Sequence, residues 1–199
     1  MKFILTPFCL FFVFISLTVA QQTSWQQVSP LPQGNPLSAI SMVDANNVFV
    51  CGTSGTFMSS TNGGESWYVD NNINGFVDQF FAIYFVSNQV GWVAGEGGTI
   101  FKTTDAGRSW TLQETPTPAD ILSLYFTSAT TGWACGTFGI ILKTTDGGLN
   151  WTSQTSGTTG ALFSINFVSA SMGWAVGTGN GANGIILRTT NGGTNWQTQ

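Results

Sequence analysis

Few side chains in this sequence can support acid–base, nucleophilic or metal chemistry. The 199 residues contain no histidine, which excludes a Ser-His-Asp triad and a histidine-ligated metal within this chain. Beyond the first twenty residues there are two cysteines, four lysine or arginine side chains and nine carboxylates. We therefore predict no metal and no cofactor, and the carboxylates are the remaining candidates for chemistry.

Three acidic residues and two phenylalanines form the candidate ligand-binding set. They are Phe76, Asp78, Glu96, Asp120 and Phe138. Paired carboxylates beside aromatic platforms are what a sugar-cleaving site requires. Solvated loop residues of an ordinary protein have the same composition, and that simpler interpretation is preferred.

The elements that must position these residues come from an internal repeat. Residues 91–110 read GWVAGEGGTIFKTTDAGRSW, and residues 132–151 read GWACGTFGIILKTTDGGLNW. Residues 173–196 are a longer copy, and residues 48–67 are the most divergent one. The closing tryptophans are spaced by 43, 41 and 45 residues, which is the size of one four-stranded propeller blade.

Each repeat contains four strand-sized segments separated by turn residues. In the third copy these are the apolar run ILSLYF, the segments 133–136 and 140–144, and a last segment that begins at Trp151. One such sheet is weak alone and must pack against neighbours, so the sequence predicts an all-β propeller of antiparallel blades. The predicted blades cover residues 36–70, 79–114, 120–155 and 161–199, with an additional N-terminal strand at 23–29.

A turn motif of the form T-x-[D/N]-x-G-x-x-W closes every repeat. Its acidic or amide side chain can accept hydrogen bonds from turn amides, its glycine permits a left-handed backbone, and its tryptophan covers the hairpin. The motif residues are Asn62, Gly64 and Trp67; Asp105, Gly107 and Trp110; Asp146, Gly148 and Trp151; and Asn191, Gly193 and Trp196.

This motif resembles the Asp box, or BNR repeat. With the preceding G-W-x-x-G, the chain is most similar to the photosystem II stability/assembly-factor-like propellers over nearly all of residues 23–199. The resemblance implies a propeller of more blades, commonly seven, in which the boxes are structural turns away from the ligand face. On that ligand face we place the loops that enter each first strand and the turns between second and third strands.

The resemblance also suggests two functions, sialidase activity and photosystem assembly, and the composition of this chain disfavours both. A sialidase site needs three arginines, whereas the chain has only Arg108, within a box, and Arg188, at a repeated position. Photosystem assembly factors of this family use an arginine-rich patch, and this acidic chain lacks one. Cys51 and Cys135 occupy equivalent positions two blades apart, so we predict buried thiols rather than a disulfide.

The first twenty residues have the pattern of a signal peptide. Lys2 precedes an apolar run over residues 3–17, and Thr18-Val19-Ala20 is a small-residue cleavage site. We therefore expect a secreted, periplasmic or cell-surface protein without membrane insertion after cleavage. Four dispersed cations against nine carboxylates exclude a patch for nucleic acid.

The sequence thus favours a secreted, non-catalytic propeller scaffold that binds a protein or glycan. The alternatives are a carbohydrate-active enzyme whose site is incomplete here and an assembly factor for a membrane complex. The additional N-terminal strand and the end at residue 199 lead us to expect missing blades, with self-association as a consequence of an open arc.

Overall fold

The computed structural model describes residues 34–181 and 183–199. The predicted signal peptide at 1–20 and the predicted additional strand at 23–29 lie outside the described residues. Within the described part, sixteen strands form four sheets of four. A single turn of 3-10 helix follows the second strand of the second and third sheets, at Glu96–Gly98 and Thr137–Gly139, and another, Ile73–Gly75, precedes the second sheet.

The strands follow one another along the chain without crossovers. Sheet 1 contains β1 (Leu37–Met42), β2 (Val48–Gly52), β3 (Phe57–Ser60) and β4 (Tyr68–Asp70). Sheet 2 contains β5 (Phe80–Phe85), β6 (Gly91–Gly95), β7 (Ile100–Thr103) and β8 (Thr111–Gln113). Sheet 3 contains β9 (Ile121–Phe126), β10 (Gly132–Gly136), β11 (Ile141–Thr144) and β12 (Thr152–Gln154). Sheet 4 contains β13 (Leu162–Phe167), β14 (Gly173–Thr178), β15 (Gly184–Thr189) and β16 (Gln197–Thr198).

All neighbouring strands pair antiparallel, and the first strands of consecutive sheets contact one another in chain order. The sheets are therefore blades arranged around a common axis, with the first strand of each innermost. This confirms the predicted fold class, an all-β propeller arc of four-stranded blades. The second-to-third turns and the connections into each first strand share one end of the blades, which we call the loop face; the opposite end, with the Asp boxes, is the box face.

Aromatic rings stack across every boundary between described blades. Trp92 of β6 lies parallel to Phe126 of the next blade, with ring centroids 3.6 Å apart. Trp133 and Phe167 repeat this contact at 3.7 Å. In the first boundary Phe49 takes the tryptophan position and stacks on a phenylalanine at 3.6 Å. Offset or stacked aromatic pairs contribute about 0.5–1.5 kcal/mol beyond the area that they bury.

The first glycine of G-W-x-x-G makes room for this stack. Gly132 lies opposite Phe126 in the ladder, and a Cβ on Gly132 would overlap the Phe126 ring. The same holds at Gly173 against Phe167. In the first blade both members of this pair are exchanged. Val48 stands where the other blades have the glycine, and Met42, which lies opposite it, stands where they have the phenylalanine. The divergence of that copy is therefore a paired exchange of a glycine and an aromatic residue for two aliphatic ones.

The last glycine of the same motif lets the chain enter the first strand. A Cβ on Gly136 would overlap the carbonyl oxygen of Asp120, which precedes β9. Each first strand has a register shift at this point, for example between the partners of Cys135 and Gly136. Such bulges increase strand twist, and here they bring the loop-face connection against the second strand.

We predict that Trp133→Ala destabilises the protein strongly. Trp133 is fully buried, and its removal would leave a cavity beside Phe167, so the free energy of unfolding should fall by about 3–5 kcal/mol. Urea denaturation followed by far-ultraviolet circular dichroism measures this loss. The control is Leu112→Ala on β8, because Leu112 is 58% exposed and should change stability by less than about 0.5 kcal/mol. Equal losses in the two variants would contradict the stacking argument.

Candidate functional site

The loop face is built by backbone hydrogen bonds between turns and strand entries. The amide of Gly55 donates to the carbonyl oxygen of Asp78 in the next blade at 2.9 Å. Within the second blade the Glu96 amide donates to the carbonyl of Gln79 at 3.1 Å, and within the third blade the Thr137 amide donates to the carbonyl of Asp120 at 3.0 Å. Four of the five sequence-predicted ligand residues therefore lie in turns and strand entries that bond to one another.

Asp120 joins two of these turns. Its carboxylate Oδ1 accepts a hydrogen bond from the Gly97 amide of the preceding blade at 3.0 Å. Its own amide donates to the Thr137 hydroxyl, also at 3.0 Å. The side chain is half-buried and holds the turn with Glu96 next to the turn with Phe138. Asp120 thus acts as an inter-blade link at the loop face.

The other two candidate acids have less defined surroundings. Asp78 is exposed, and Glu96 is half-buried in its 3-10 turn. No group of three or more histidine, cysteine, aspartate or glutamate side chains able to hold a metal occurs within residues 34–181 and 183–199. The loop face therefore presents carboxylate side chains on and beside its backbone turns.

The two candidate phenylalanines differ in orientation. Phe76 is half-buried, and its ring packs on Phe80 with centroids 4.7 Å apart and edge-on against Phe101. Phe138 is 79% exposed. Phe76 belongs to the edge of the core, so Phe138 is the aromatic residue that the loop face presents to solvent.

Phe138 also has an unfavourable backbone conformation. Its φ of 57° lies in the left-handed region, which a bulky residue rarely adopts. The equivalent turn positions carry Ser54 and Gly97, at φ of 56° and 64°. A large apolar ring held outward at a position suited to glycine costs stability, and such outliers concentrate at ligand-binding positions.

The Asp boxes form matching turns at the box face. In the third blade, Thr144 donates its hydroxyl hydrogen to Asp146 at 2.8 Å and accepts from the Gly148 amide at 2.8 Å. Asp146 also accepts from the amide of Asn150 at 2.9 Å and from its side chain at 2.7 Å. These two Asn150 bonds, together with that from Thr144, lower the pKa of Asp146 to about 2.

The other three boxes repeat this arrangement around Asn62, Asp105 and Asn191. Every box glycine has a positive φ, from 84° at Gly107 to 99° at Gly148. The turn amides also bond the neighbouring first-to-second turns, as from Gly147 to the carbonyl of Thr130 at 2.7 Å. The hydroxyl, the acidic or amide side chain and the glycine of each box are thus engaged in the turn.

The box tryptophans reach the blade boundary. Trp151 packs edge-on against Phe126 at 6.0 Å, and Trp196 packs likewise against Phe167 at 5.9 Å. Trp110 meets Phe57 and Phe85 in the same edge-on manner at the first boundary. These three boxes thus complete the aromatic stacks that join their blades to the preceding ones, whereas Trp67 of the first box packs on residues of its own blade.

Three cations occupy repeated positions on the third strands. Lys102 and Lys143 lie over the rings of Trp92 and Trp133, at 5.4 and 5.3 Å from the ring centroids. Arg188 lies 5.8 Å over Trp174 in the last blade. Burial lowers the pKa of Lys102, and the charge of Asp146 in the next blade acts in the opposite direction.

The two thiols are interior packing groups. Cys51 and Cys135 are both fully buried and unpaired. The Cys135 thiol donates to the carbonyl of Leu162 at 3.3 Å. Burial raises the pKa of both thiols, which disfavours the nucleophilic thiolate.

An axial groove was not predicted from the sequence. It consists of two adjoining open depressions, one of about 440 Å³ beside β5 and one of about 620 Å³ beside β9 and β13. Tyr84 and Tyr125 line it with rings 5.2 Å apart. Burial, followed by the interaction with Tyr125, raises the pKa of Tyr84 to about 12. One feature of the sequence could have indicated this groove. The same position of the first strand in each blade is held by Ser41, Tyr84, Tyr125 and Asn166.

Among the described residues, no helix is long and apolar enough to cross a membrane.

Comparison with known proteins identifies relatives for most of the chain. The family model described as Photosynthesis system II assembly factor YCF48 matches residues 13–104 and 102–199. A solved structure of YCF48 bound to a D1 peptide is 23% identical, with a TM-score of 0.69, over 85% of this chain and 54% of that one. YCF48 from Cyanidioschyzon merolae is 23% identical, with a TM-score of 0.66, over 88% of this chain and 59% of that one.

The GH74 enzyme of Niastella koreensis is also similar, with 17% identity and a TM-score of 0.64 over 81% of this chain and 30% of that one. At these identities the structural likeness shows the fold alone. The chain spans between half and two thirds of the length of the YCF48 structures. A search of curated proteins finds no match.

We predict that stability falls at acid pH through the box carboxylates. Because the folded state lowers the pKa of Asp146 from 3.8 to about 2, its contribution is present above about pH 4 and is lost as pH falls toward 2. Asp146→Asn introduces asparagine, which two of the four boxes already carry. The urea midpoint of this variant should fall less between pH 5 and pH 2 than that of the wild type (roughly the window of that titration). Asn191→Asp is the converse control and should make the midpoint fall more. Identical pH profiles in the three proteins would contradict the role of the box carboxylate.

Proposed function

The chain belongs to the Photosynthesis system II assembly factor YCF48 family, and we propose that it is a non-catalytic propeller that binds a protein segment at its loop face. The carrying observation is Phe138, which is 79% exposed at a positive φ. Exposed aromatic side chains of limited flexibility are common binding hot spots. The YCF48 structure with a bound D1 peptide supports a protein ligand for a propeller of this family.

The charge beside Phe138 defines the chemistry of the segment. Asp120 joins the Phe138 turn to the turn that carries Glu96. Asp78 adds an exposed carboxylate at the entry to the second blade. We infer that the partner places an apolar side chain on Phe138 and a lysine or arginine toward the carboxylates.

A carbohydrate-active enzyme is the second candidate. The likeness to GH74 enzymes gives it fold-level support only. Asp120, one of the candidate acids, already accepts a backbone amide hydrogen bond and is less suited to proton transfer. Hydrolysis of a polysaccharide by the chain that is lost in Asp78→Asn or Asp120→Asn would favour this candidate over the binding protein.

Phe138→Asn tests the binding proposal. Asparagine tolerates a positive φ, so the variant should be at least as stable as the wild type in urea denaturation. Selection of a phage-displayed random peptide library on the wild-type chain should yield apolar residues next to lysine or arginine. Affinity of a selected peptide, measured by calorimetry, should fall at least about tenfold in the variant.

The matched control is Leu149→Asn. Leu149 is 71% exposed at the box face, and the equivalent positions hold Glu65, Arg108 and Thr194, so this position tolerates polar residues. The control variant should bind as the wild type does. Peptides that bind Phe138→Asn with unchanged affinity would refute the loop-face proposal, and selective binding on a glycan array would redirect it to a sugar ligand.

We also propose that the protein is exported. The support is the pattern of Lys2, the apolar run over residues 3–17 and the small residues before Gln21. Expression of the full chain in a bacterial host should give a periplasmic or secreted product whose N-terminal residue, by intact-mass spectrometry, is Gln21. Leu10→Arg places a charge in the apolar run and should leave the uncleaved chain in the cytoplasm. A full-length wild-type product that retains Met1 would contradict export.

A further inference from the structure

A separate pocket lies at the box face where the first blade meets the second. It has a volume of about 300 Å³, and we call it the boundary pocket. One wall comes from β3, β4 and the first box, and the other wall comes from the second box. The lining includes three hydroxyl side chains, a phenol ring, a methyl group and a guanidinium: Ser59, Thr61, Ser66, Tyr68, Ala106 and Arg108.

At the next two blade boundaries a lysine fills the corresponding space. The Nζ atom of Lys102 lies 2.7 Å from the position that a Cβ on Gly147 of the following box would take. Lys143 and Gly192 repeat this approach at 2.9 Å. Ladder pairing with the second strand places Ser59 at the position of these two lysines. Because serine is much shorter than lysine, the space beside the following box stays open.

The box opposite Ser59 differs in a matching way. Ala106 stands where the third and fourth boxes have Gly147 and Gly192, and it holds a positive φ of 63°. A methyl group at this position would crowd a lysine, but it has room beside a serine. The exchange of lysine and glycine for serine and alanine therefore leaves a pocket between the two blades.

The side chains around the pocket have unused binding capacity. Within the described part of the chain, no hydrogen bond engages the hydroxyls of Ser59 and Thr61 or the guanidinium of Arg108. Tyr68 is 49% exposed and lies opposite Ser59 in the ladder, on the same side of the sheet. A ligand in the pocket would thus meet hydroxyl groups, an aromatic ring and a positive charge together.

Arg108 supplies the positive charge of this boundary. The other boxes carry Glu65, Leu149 and Thr194 at its position, so the arginine is not required by the box turn. The Asp105 carboxylate of the same box accepts hydrogen bonds from the amide and the hydroxyl of a serine in its own turn. A carboxylate that enters the pocket can therefore pair with Arg108, and such pairs are frequently bidentate.

We propose that the boundary pocket binds a carboxylated sugar residue of an acidic glycan. Arg108 pairs with the carboxylate, Tyr68 packs on the C–H face of the sugar ring, and Ser59 and Thr61 bond its hydroxyl groups. Small-molecule pockets measure roughly 300–1,000 Å³, so this one suits a single sugar unit. Uronic acids and sialic acids share this chemistry, and the test below distinguishes them.

Calorimetric titration of the full chain tests the proposal with two acidic probes and their neutral counterparts. These are trigalacturonate against its fully methyl-esterified form, and sialyllactose against lactose. One acidic probe should bind with a Kd of about 1 mM or lower and its neutral counterpart at least about tenfold more weakly, since a hydrogen-bonded charge is lost. Binding of trigalacturonate identifies a uronic acid as the ligand, and binding of sialyllactose identifies a sialic acid. Absence of binding by both acids, or equal binding of an acid and its neutral counterpart, would overturn the proposal.

Two substitutions borrow residues from other blades and so preserve the fold. Arg108→Thr introduces the residue found at Thr194, and Tyr68→Thr introduces the one found at Thr111. Each should weaken binding of the acidic probe at least about tenfold with unchanged circular dichroism. Arg188→Thr is the matched control, because it removes the same charge outside the pocket and should bind as the wild type does. Equal weakening in Arg188→Thr would point to general charge attraction and refute the site.

Ser59→Met tests the pocket itself without changing the charge. The longer side chain fills the space that lysine takes at the other boundaries, so sugar binding should be lost while Arg108 remains. Unchanged affinity in this variant would contradict binding within the pocket. Phe138→Asn should bind the acidic sugar as the wild type does; a loss there would place the sugar at the loop face and overturn the proposal. Failure of peptide binding at the loop face leaves these outcomes unaffected.

Discussion

The stacking of one aromatic ring on the next blade is the contact on which the rest of the structure depends. It occurs three times, between residues separated in sequence by 34 to 36 positions, at centroid distances of 3.6 to 3.7 Å. A four-stranded sheet cannot bury enough apolar surface alone, so each blade acquires its core only where it meets a neighbour. The motif glycines, the bulged first strands and the box tryptophans all serve to bring the two rings together.

The division of labour between the two faces follows from this packing. At the box face, side chains such as Thr144 and Asp146 are engaged in hydrogen bonds within the turns, and the tryptophans extend to the blade boundary. The loop face contributes to that core through Ile73 and Phe76 of the connection into the second blade, and links such as Asp120 to Gly97 join its turns. Its second-to-third turns differ between blades, and the position of the exposed Phe138 is held by Ser54 in the first blade and Gly97 in the second. A binding surface can vary there without disturbing the stacks.

The sequence was sufficient for the blades and insufficient for the orientation of individual side chains. The repeat period, the turn residues and the box tryptophans predict the sheets and the family resemblance, because these signals lie within one repeat. The partner of Trp92 lies in the next repeat, and no spacing within one blade identifies Phe126. Likewise, Phe76 and Phe138 both read as loop aromatics. Only the packing of Phe76 against Phe80 separates a core residue from an exposed one.

The axial tyrosines show a related limit. The run ILSLYF reads as a strand buried on both faces, yet Tyr125 is half-exposed toward the axis and meets Tyr84 of the neighbouring blade. A continuous apolar run does not distinguish the side that packs on another sheet from the side that faces the central groove, because aromatic residues occur on both sides. The same few residue types pack at each boundary between blades. The first boundary keeps the same geometry with Phe49 in place of the tryptophan, so the contact requires a flat aromatic ring and not an indole in particular.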